Sequence, residues 1–211
     1  LANTVLLIAA GQILAVILGV VFGIFAAWKA RTAIDYAALA TSLMAWSLPT
    51  FWLAIILLFW GSTMGLPVAG KATPGMSSMP LLQQWWDIAR HMLLPTITYT
   101  IIYMGEYTLI MRSSLMDVLS EDYILTAKAK GLNAVQVLRD HALKNAMLPL
   151  VTVIAINLGF TVAGAIQIEA VFSWPGLGSA IYEAVVRRDF PVLQGAFLLI
   201  AVTVIIANLL A

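Results

Sequence analysis

TVLLIAAGQILAVILGVVFGIFAAW, residues 4–28, contains no Asp, Glu, Lys or Arg, and its reading decides the fold. At about 1.5 Å per residue, a helix of this length outreaches the ~30 Å hydrocarbon core of a bilayer. A membrane accepts apolar side chains on every side of such a helix, whereas a water-facing helix needs a polar face. Comparable runs follow near 36–60, 92–111, 148–168 and 192–211, so five transmembrane helices are expected, each bonding its own backbone as lipid requires. Between them lie loops 61–91 and 169–191 on one side and a polar segment, 113–147, on the other. With 62% of residues hydrophobic, 10% charged and a mean hydropathy of +0.98, residues 1–211 read as one all-α transmembrane domain.

A net charge of +1 excludes a large nucleic-acid surface, and the absence of cysteine excludes disulfides and thiolate metal sites. No basic region, short apolar core and small-residue cleavage site mark a signal peptide, so the first apolar run is structural. The chain starts at Leu1 and stops at Ala211 inside an apolar run, and it is read as incomplete. Lys29, Arg31, Arg112, Lys128, Lys130, Arg139 and Lys144 share one side, against Lys71, Arg90, Arg187 and Arg188 on the other. That excess makes segment 113–147 cytoplasmic and places Leu1 outside.

Segment 113–147 is too polar to span and rich in helix formers. Ser120, Glu121 and Asp122 cap a helix carrying Leu125, Ala127 and Ala129, and Gly131 supplies the left-handed residue that ends it. Asn133 with Gln136 three residues on is a capping-box pattern, restarting a helix with Val135, Leu138 and Ala142 on one side. Pro149 opens the next span, where its missing N–H costs little. These features suit either a hairpin lying on the membrane or an element docking on a partner.

The residues themselves, EDYILTAKAKGLNAVQVLRDHALKNAMLP at 121–149, closely resemble the cytoplasmic loop of inner-membrane permease subunits of binding-protein-dependent ATP-binding-cassette importers, in the dipeptide, oligopeptide and nickel branch. The resemblance rests on Asp122 and Tyr123, on Ala127, Ala129, Lys130, Gly131 and Leu132, and on the spacing of His141, Asn145 and Pro149. It extends to Ser47, Pro49 and Phe51, to Arg112, Ser113 and Ser114, and to Glu169, Val171, Phe172, Ser173, Trp174, Pro175, Gly176 and Gly178, continued by Asp189, Phe190 and Pro191. It implies a type I importer permease with six spans in the whole subunit, multi-pass in a prokaryotic inner membrane. An earlier span and external domain, and a short cytoplasmic tail, are expected outside this chain.

The resemblance further implies a coupling helix between roughly Asn133 and Ala142, seated in a groove of a separate ATPase subunit. Coupling residues are then Asp122, Tyr123, Ala127, Ala129, Lys130, Gly131, Leu132, Asn133, Val135, Leu138, His141 and Asn145. Small residues at 127, 129 and 131 allow close backbone approach, and the apolar residues of the second helix offer a knob. Lys128 and Lys130 equally suit ordinary positive-inside charges, and His141, one of two histidines, suits a hydrogen-bonded role over a metal site. Implied partners are a second permease subunit, two ATP-binding subunits and an extracytoplasmic solute-binding protein. No cofactor or metal is expected in this chain. ATP and magnesium belong to the partners, and the chain is a transport subunit, not an enzyme.

Gly65, Gly70 and Lys71 have the spacing of a phosphate-binding loop, but Ala72 replaces the magnesium-holding Ser or Thr and no strand-to-helix context surrounds them. In loop 61–91, Leu81, Leu82, Trp85 and Ile88 form an apolar stripe, with Trp85 and Trp86 suited to headgroup depth or to substrate contact. In loop 169–191, Trp174, Pro175 and Gly176 make a turn before a short helix presenting Glu183, Arg187, Arg188 and Asp189. By resemblance, Trp174, Arg187, Arg188 and Asp189 are candidates for docking the solute-binding protein.

Within the spans, Glu106 needs an explanation, because an acid at a helix centre costs about 3 kcal/mol. Six residues from Arg112, it is badly placed for a pair on one helix face, and it suits a contact to a substrate amine or a structural polar contact. Asn157, Thr161 and Gly164 form a small polar stripe, either helix packing or pathway lining, and Gly19 with Gly23 is a close-packing pair. The expected function is a permease subunit forming half of a pathway for peptides or similar solutes. The alternative is an ion- or proton-coupled secondary transporter using Glu106.

Overall fold

The computed structural model describes residues 1–210, the side chains of Ser77, residues 158–165, Ala207, Asn208 and Leu210 excepted. Among the described residues there is no strand. The first helix, α1 (Ala2–Trp28), is long and apolar enough to cross a bilayer by itself. It runs along α4 (Leu81–Leu119), and this is the largest helix interface of the molecule. Gly19 and Gly23 set the closeness of that approach, since a Cβ at either would stand 2.5 Å from Cβ of Tyr107 or 2.6 Å from Cβ of Met111.

The apolar run 36–60 is not one straight helix. It divides into α2 (Ala33–Ser47) and α3 (Thr50–Thr63), bent by 96° to one another. The cause is local, because a residue before proline is pushed out of the helical region, and Leu48 before Pro49 takes φ −70°, ψ 132°. Nor is the Trp85 segment a separate surface helix: α4 runs unbroken through its 39 residues, roughly 58 Å, far more than a bilayer's hydrocarbon.

After α5 (Asp122–Ala129) comes a short α6 (Ala134–Gln136), then π-helical winding over Val137–Ala142 that leads directly into α7 (Leu143–Val171). Pro149 therefore lies inside a helix already under way, and leaves the carbonyl of Asn145 without its usual helical donor. The last helices are α8 (Leu177–Arg187) and α9 (Phe190–Leu210).

Two buried apolar clusters stack along α1, α4 and α7. One contains Leu7, Leu94, Tyr99, Phe172 and Trp174, and the other Ala27, Tyr107, Met111, Leu115 and Val137. Tyr103 packs against both, which places it at the seam between the two ends of the bundle.

Candidate functional site

At one end of the bundle, segment 113–147 is a fixed structure. Ile124 and Ala127 turn α5 inward, while Asp122, Ala129, Lys130 and Asn133 are exposed. Of the three small residues, only Ala127 is buried against the chain itself. Ala129 faces out, and a Cβ on Gly131 would meet nothing within 4 Å; glycine is needed there for its φ of 83°. The capping box is formed, with Asn133 Oδ1 accepting from the Gln136 N–H and Gln136 Oε1 from the Asn133 N–H, both at 2.9 Å.

Val135, Leu138 and Ala142 do not share one face. Wider π-winding brings Val137 and Ala142, five residues apart, onto the buried side at 2% and 0% exposure, and leaves Val135 58% exposed. Leu132, Leu138 and His141 are half-buried. Asn145 Nδ2 donates to the Tyr123 hydroxyl at 2.8 Å, so these two candidates come together and tie α5 to α7. The exposed pair Arg139 and Asp140 bonds side chain to side chain at 2.6 Å, and the guanidinium holds the Asp140 carboxyl below its ordinary value.

A clamp absent from the sequence reading joins this end to the start of α2. Arg112 donates through Nε and Nη2 to both oxygens of Asp35, the second bond at 2.7 Å, and the Arg31 N–H adds a 2.8 Å bond to Oδ2. Asp35 is completely buried. The available signal was charge matching, since Asp35 is the acid of the short loop that faces the end of the 92–111 run. Ser114 Oγ then donates to the Ala146 carbonyl at 2.8 Å, linking α4 to α7.

Midway along the bundle, polar side chains from three helices form a chain. The Tyr99 hydroxyl donates to Gln12 Oε1 at 2.7 Å, and Gln12 Nε2 donates to the Tyr107 hydroxyl at 2.6 Å. Asn157 Nδ2 bridges the same hydroxyl at 3.1 Å and Glu106 Oε2 at 2.9 Å. Glu106 and Asn157, named separately from sequence, are thus bonded partners, and Gln12, Tyr99 and Tyr107 were missed because their hydroxyls and amide look isolated in apolar runs. Thr161 and Gly164 lie outside the residues whose side chains are described.

At the opposite end, Trp174 is fully buried and donates Nε1–H to the Asn3 carbonyl at 3.0 Å. It is therefore not presented to a docked protein; it anchors the loop to α1. Glu169 is also fully buried, its Oε2 accepting the Ser179 N–H at 3.0 Å near the start of α8. Arg187, Arg188 and Asp189 are exposed, with Arg187 facing Glu183 at 3.3 Å and Asp189 Oδ1 taking the Val192 N–H at 3.3 Å. Asp87 accepts from the Thr73 N–H at 2.7 Å and hydroxyl at 2.8 Å, pinning the loop that precedes α4. Burial acts to raise the Asp87 carboxyl, but the Thr73 bonds and nearby positive charge leave it below its ordinary value. Gly65 and Gly70 sit in turns with φ of 68° and 79° after a helix rather than between a strand and a helix, as a phosphate loop requires.

Among the described residues the fold is all helical, with α1 long and apolar enough to cross a membrane and the bent pair α2 and α3 apolar enough to form a second span. Residues 19–211 match the family of binding-protein-dependent transport system inner membrane components, and the chain belongs to that family. It is 39% identical over 220 residues to the dipeptide transport system permease protein DppB of Escherichia coli, covering 94% of this chain and 64% of that protein. A putative peptide permease protein of Brucella suis is 40% identical over 210 residues, covering 98% and 64%. The di/tripeptide transport system permease protein DppB of Pseudomonas aeruginosa is 38% identical over 205 residues, covering 90% and 61%. The chain thus spans about 64% of the length of the first of these relatives.

Proposed function

We propose that this chain is the membrane pathway part of a permease subunit in an ATP-driven importer of peptides. The observation that carries the reading is the loop at 121–147: a capped, packed helical unit on the ends of α1, α4 and α7 that still exposes Val135, Asn133 and Lys130. A rigid seat with an exposed tip is what transmitting a partner's motion requires, because a flexible loop would absorb it. The tip enters a groove of an ATP-binding subunit, which supplies ATP and magnesium. Five spans follow, with α2 and α3 forming one bent span, and loops 61–91 and 169–191 face a solute-binding protein. A second permease subunit completes the pathway. Arg187, Arg188 and Asp189 remain the docking candidates on the outer face, and Trp174 shapes that surface from within.

The family match and the peptide-permease names of the relatives favour this reading over a secondary transporter driven through Glu106. The test is co-purification of the complete subunit with its ATP-binding and second permease subunits, comparing wild type with Gly131→Val. A β-branched residue at φ 83° strains the turn by about 1–3 kcal/mol without a clash, since the space around Gly131 is open. Loss of ATPase association with membrane insertion intact is the expected result. Unchanged assembly and ATP-dependent uptake in the variant would contradict the coupling role.

A further inference from the structure

We propose that Tyr103, Glu106 and Asn157 form a recognition site for the ammonium group of the transported solute, held in place by the Gln12–Tyr107 hydrogen bond. This deepens, and rests on, the importer reading above. Glu106 is half-buried within the 92–111 run, and a carboxyl at that depth costs about 2.5–3.5 kcal/mol when it faces lipid. Its face must therefore meet water or a polar group. One of its oxygens is already oriented by Asn157 at 2.9 Å, and Asn157 is itself fixed to Tyr107, whose hydroxyl is held by Gln12 at 2.6 Å. The carboxyl is thus held in position from behind by groups on two other helices.

The remaining chemistry selects the ligand. Tyr103 stands one turn before Glu106 on the same face of α4, half-buried, its ring stacked on Tyr99 with centroids 4.3 Å apart. A carboxyl one helical turn from an aromatic ring suits an ammonium, which gains from the negative oxygen and from the ring's π-electrons. A metal ion is the poorer match, because among the described residues no group of three or more His, Cys, Asp or Glu gathers there. The depth agrees, since Tyr103 packs on both apolar clusters and so lies midway between the two ends of the bundle, a level every crossing solute must reach. Gln12, Tyr99 and Tyr107 act as positioning residues.

The experiment uses the complete importer reconstituted in proteoliposomes, with labelled dialanine as probe. Glu106→Gln keeps an acceptor for Asn157 and removes only the charge, so a structural role would leave it untouched. The expected result is a rise of about tenfold or more in KM for ATP-dependent dialanine uptake, with the subunit still assembled with its partners. Tyr103→Phe, which retains the ring face, should keep uptake, whereas Tyr103→Leu should lose several-fold. In an importer whose other cysteines are replaced, Glu106→Cys should react with a cationic thiosulfonate reagent and be protected by dialanine, since residues 1–211 add no cysteine of their own. Wild-type KM in Glu106→Gln, or an unreactive cysteine at 106, overturns the site while leaving the importer reading intact. Absence of ATP-dependent uptake in the wild type overturns the importer reading itself.

Discussion

Asp35 and Glu169 are both fully buried carboxyl groups at opposite ends of one bundle, and they are matched in opposite ways. Asp35 meets a cation, the Arg112 guanidinium, from a helix 77 residues away in sequence. Glu169 meets no cation: Oε2 takes the Ser179 N–H near the start of α8, and Oε1 has no hydrogen-bond partner among the described residues. Its room is made by glycine, since a Cβ on Gly178 would stand 3.0 Å from Oε2 and one on Gly176 would overlap the carboxyl group. The difference separates a joint from a lock. The ion pair joins α2 to α4 beside the proposed coupling loop. A carboxyl at a helix start, fenced by glycines and a buried tryptophan, fixes one arrangement of the outer loop.

The largest effect should come from breaking the joint on one side. Asp35→Ala leaves Arg112 as an uncompensated, mostly buried charge, and is expected to cost about 3–5 kcal/mol, read as loss of folded subunit in a detergent-melting assay. The double replacement Asp35→Asn with Arg112→Gln should recover much of that loss, and no recovery would mean that the pair is not the source. At the lock, Gly176→Ala must displace the Glu169 carboxyl and should cost about 1–3 kcal/mol, seen as faster proteolysis of the loop 169–189. Equal stability would show that the outer loop yields more easily than its packing suggests. At the loop tip, Asn133→Ala removes one capping bond and should cost about 1 kcal/mol, measured as greater amide exchange over residues 134–137.

The smallest effect is pH-dependent and confined to the outer loop. The Asp87 carboxyl lies below its ordinary value in the folded chain, so its bonds to Thr73 stabilise the loop fully above the unfolded value, about 3.9. That stabilisation is lost as pH falls from there through the depressed folded value. Amide protection at residues 71–79, measured relative to the intrinsic exchange rate at each pH, should therefore fall on acidification below about pH 4, and Asp87→Asn should abolish that fall. Protection that does not change with pH in the wild type would count against the Asp87–Thr73 anchor.

What could be read from the chain divides along the same lines. α1 and the Asn133 cap were legible because composition and a four-residue pattern decide them locally. The break at Leu48 was visible as Pro49 but hidden by the apolar run around it. Asp35 with Arg112, Glu169 with Ser179, and Gln12 with two tyrosines were not legible, because hydrogen bonds across 77, 10 and up to 95 residues leave no periodic trace. Val135, Leu138 and Ala142 were read as one face and the structure separates them, since a 3.6-residue pattern does not describe the π-winding that begins at Val137. Trp174 looked like a surface residue in a polar loop, and only the Asn3 carbonyl, far away in sequence, makes its burial favourable.

The central claim is that the loop tip touches an ATP-binding partner, and residues 1–211 hold no cysteine that would compete for a label, so an assembly otherwise freed of cysteine gives the direct measurement. Val135→Cys in the complete subunit, carrying a thiol-linked photocrosslinker and assembled with its partners, should give an adduct with the ATP-binding subunit. Leu81→Cys, exposed on the opposite loop, should give none. An adduct from position 81 but not from 135, or adducts from 135 only to lipid, would contradict the account.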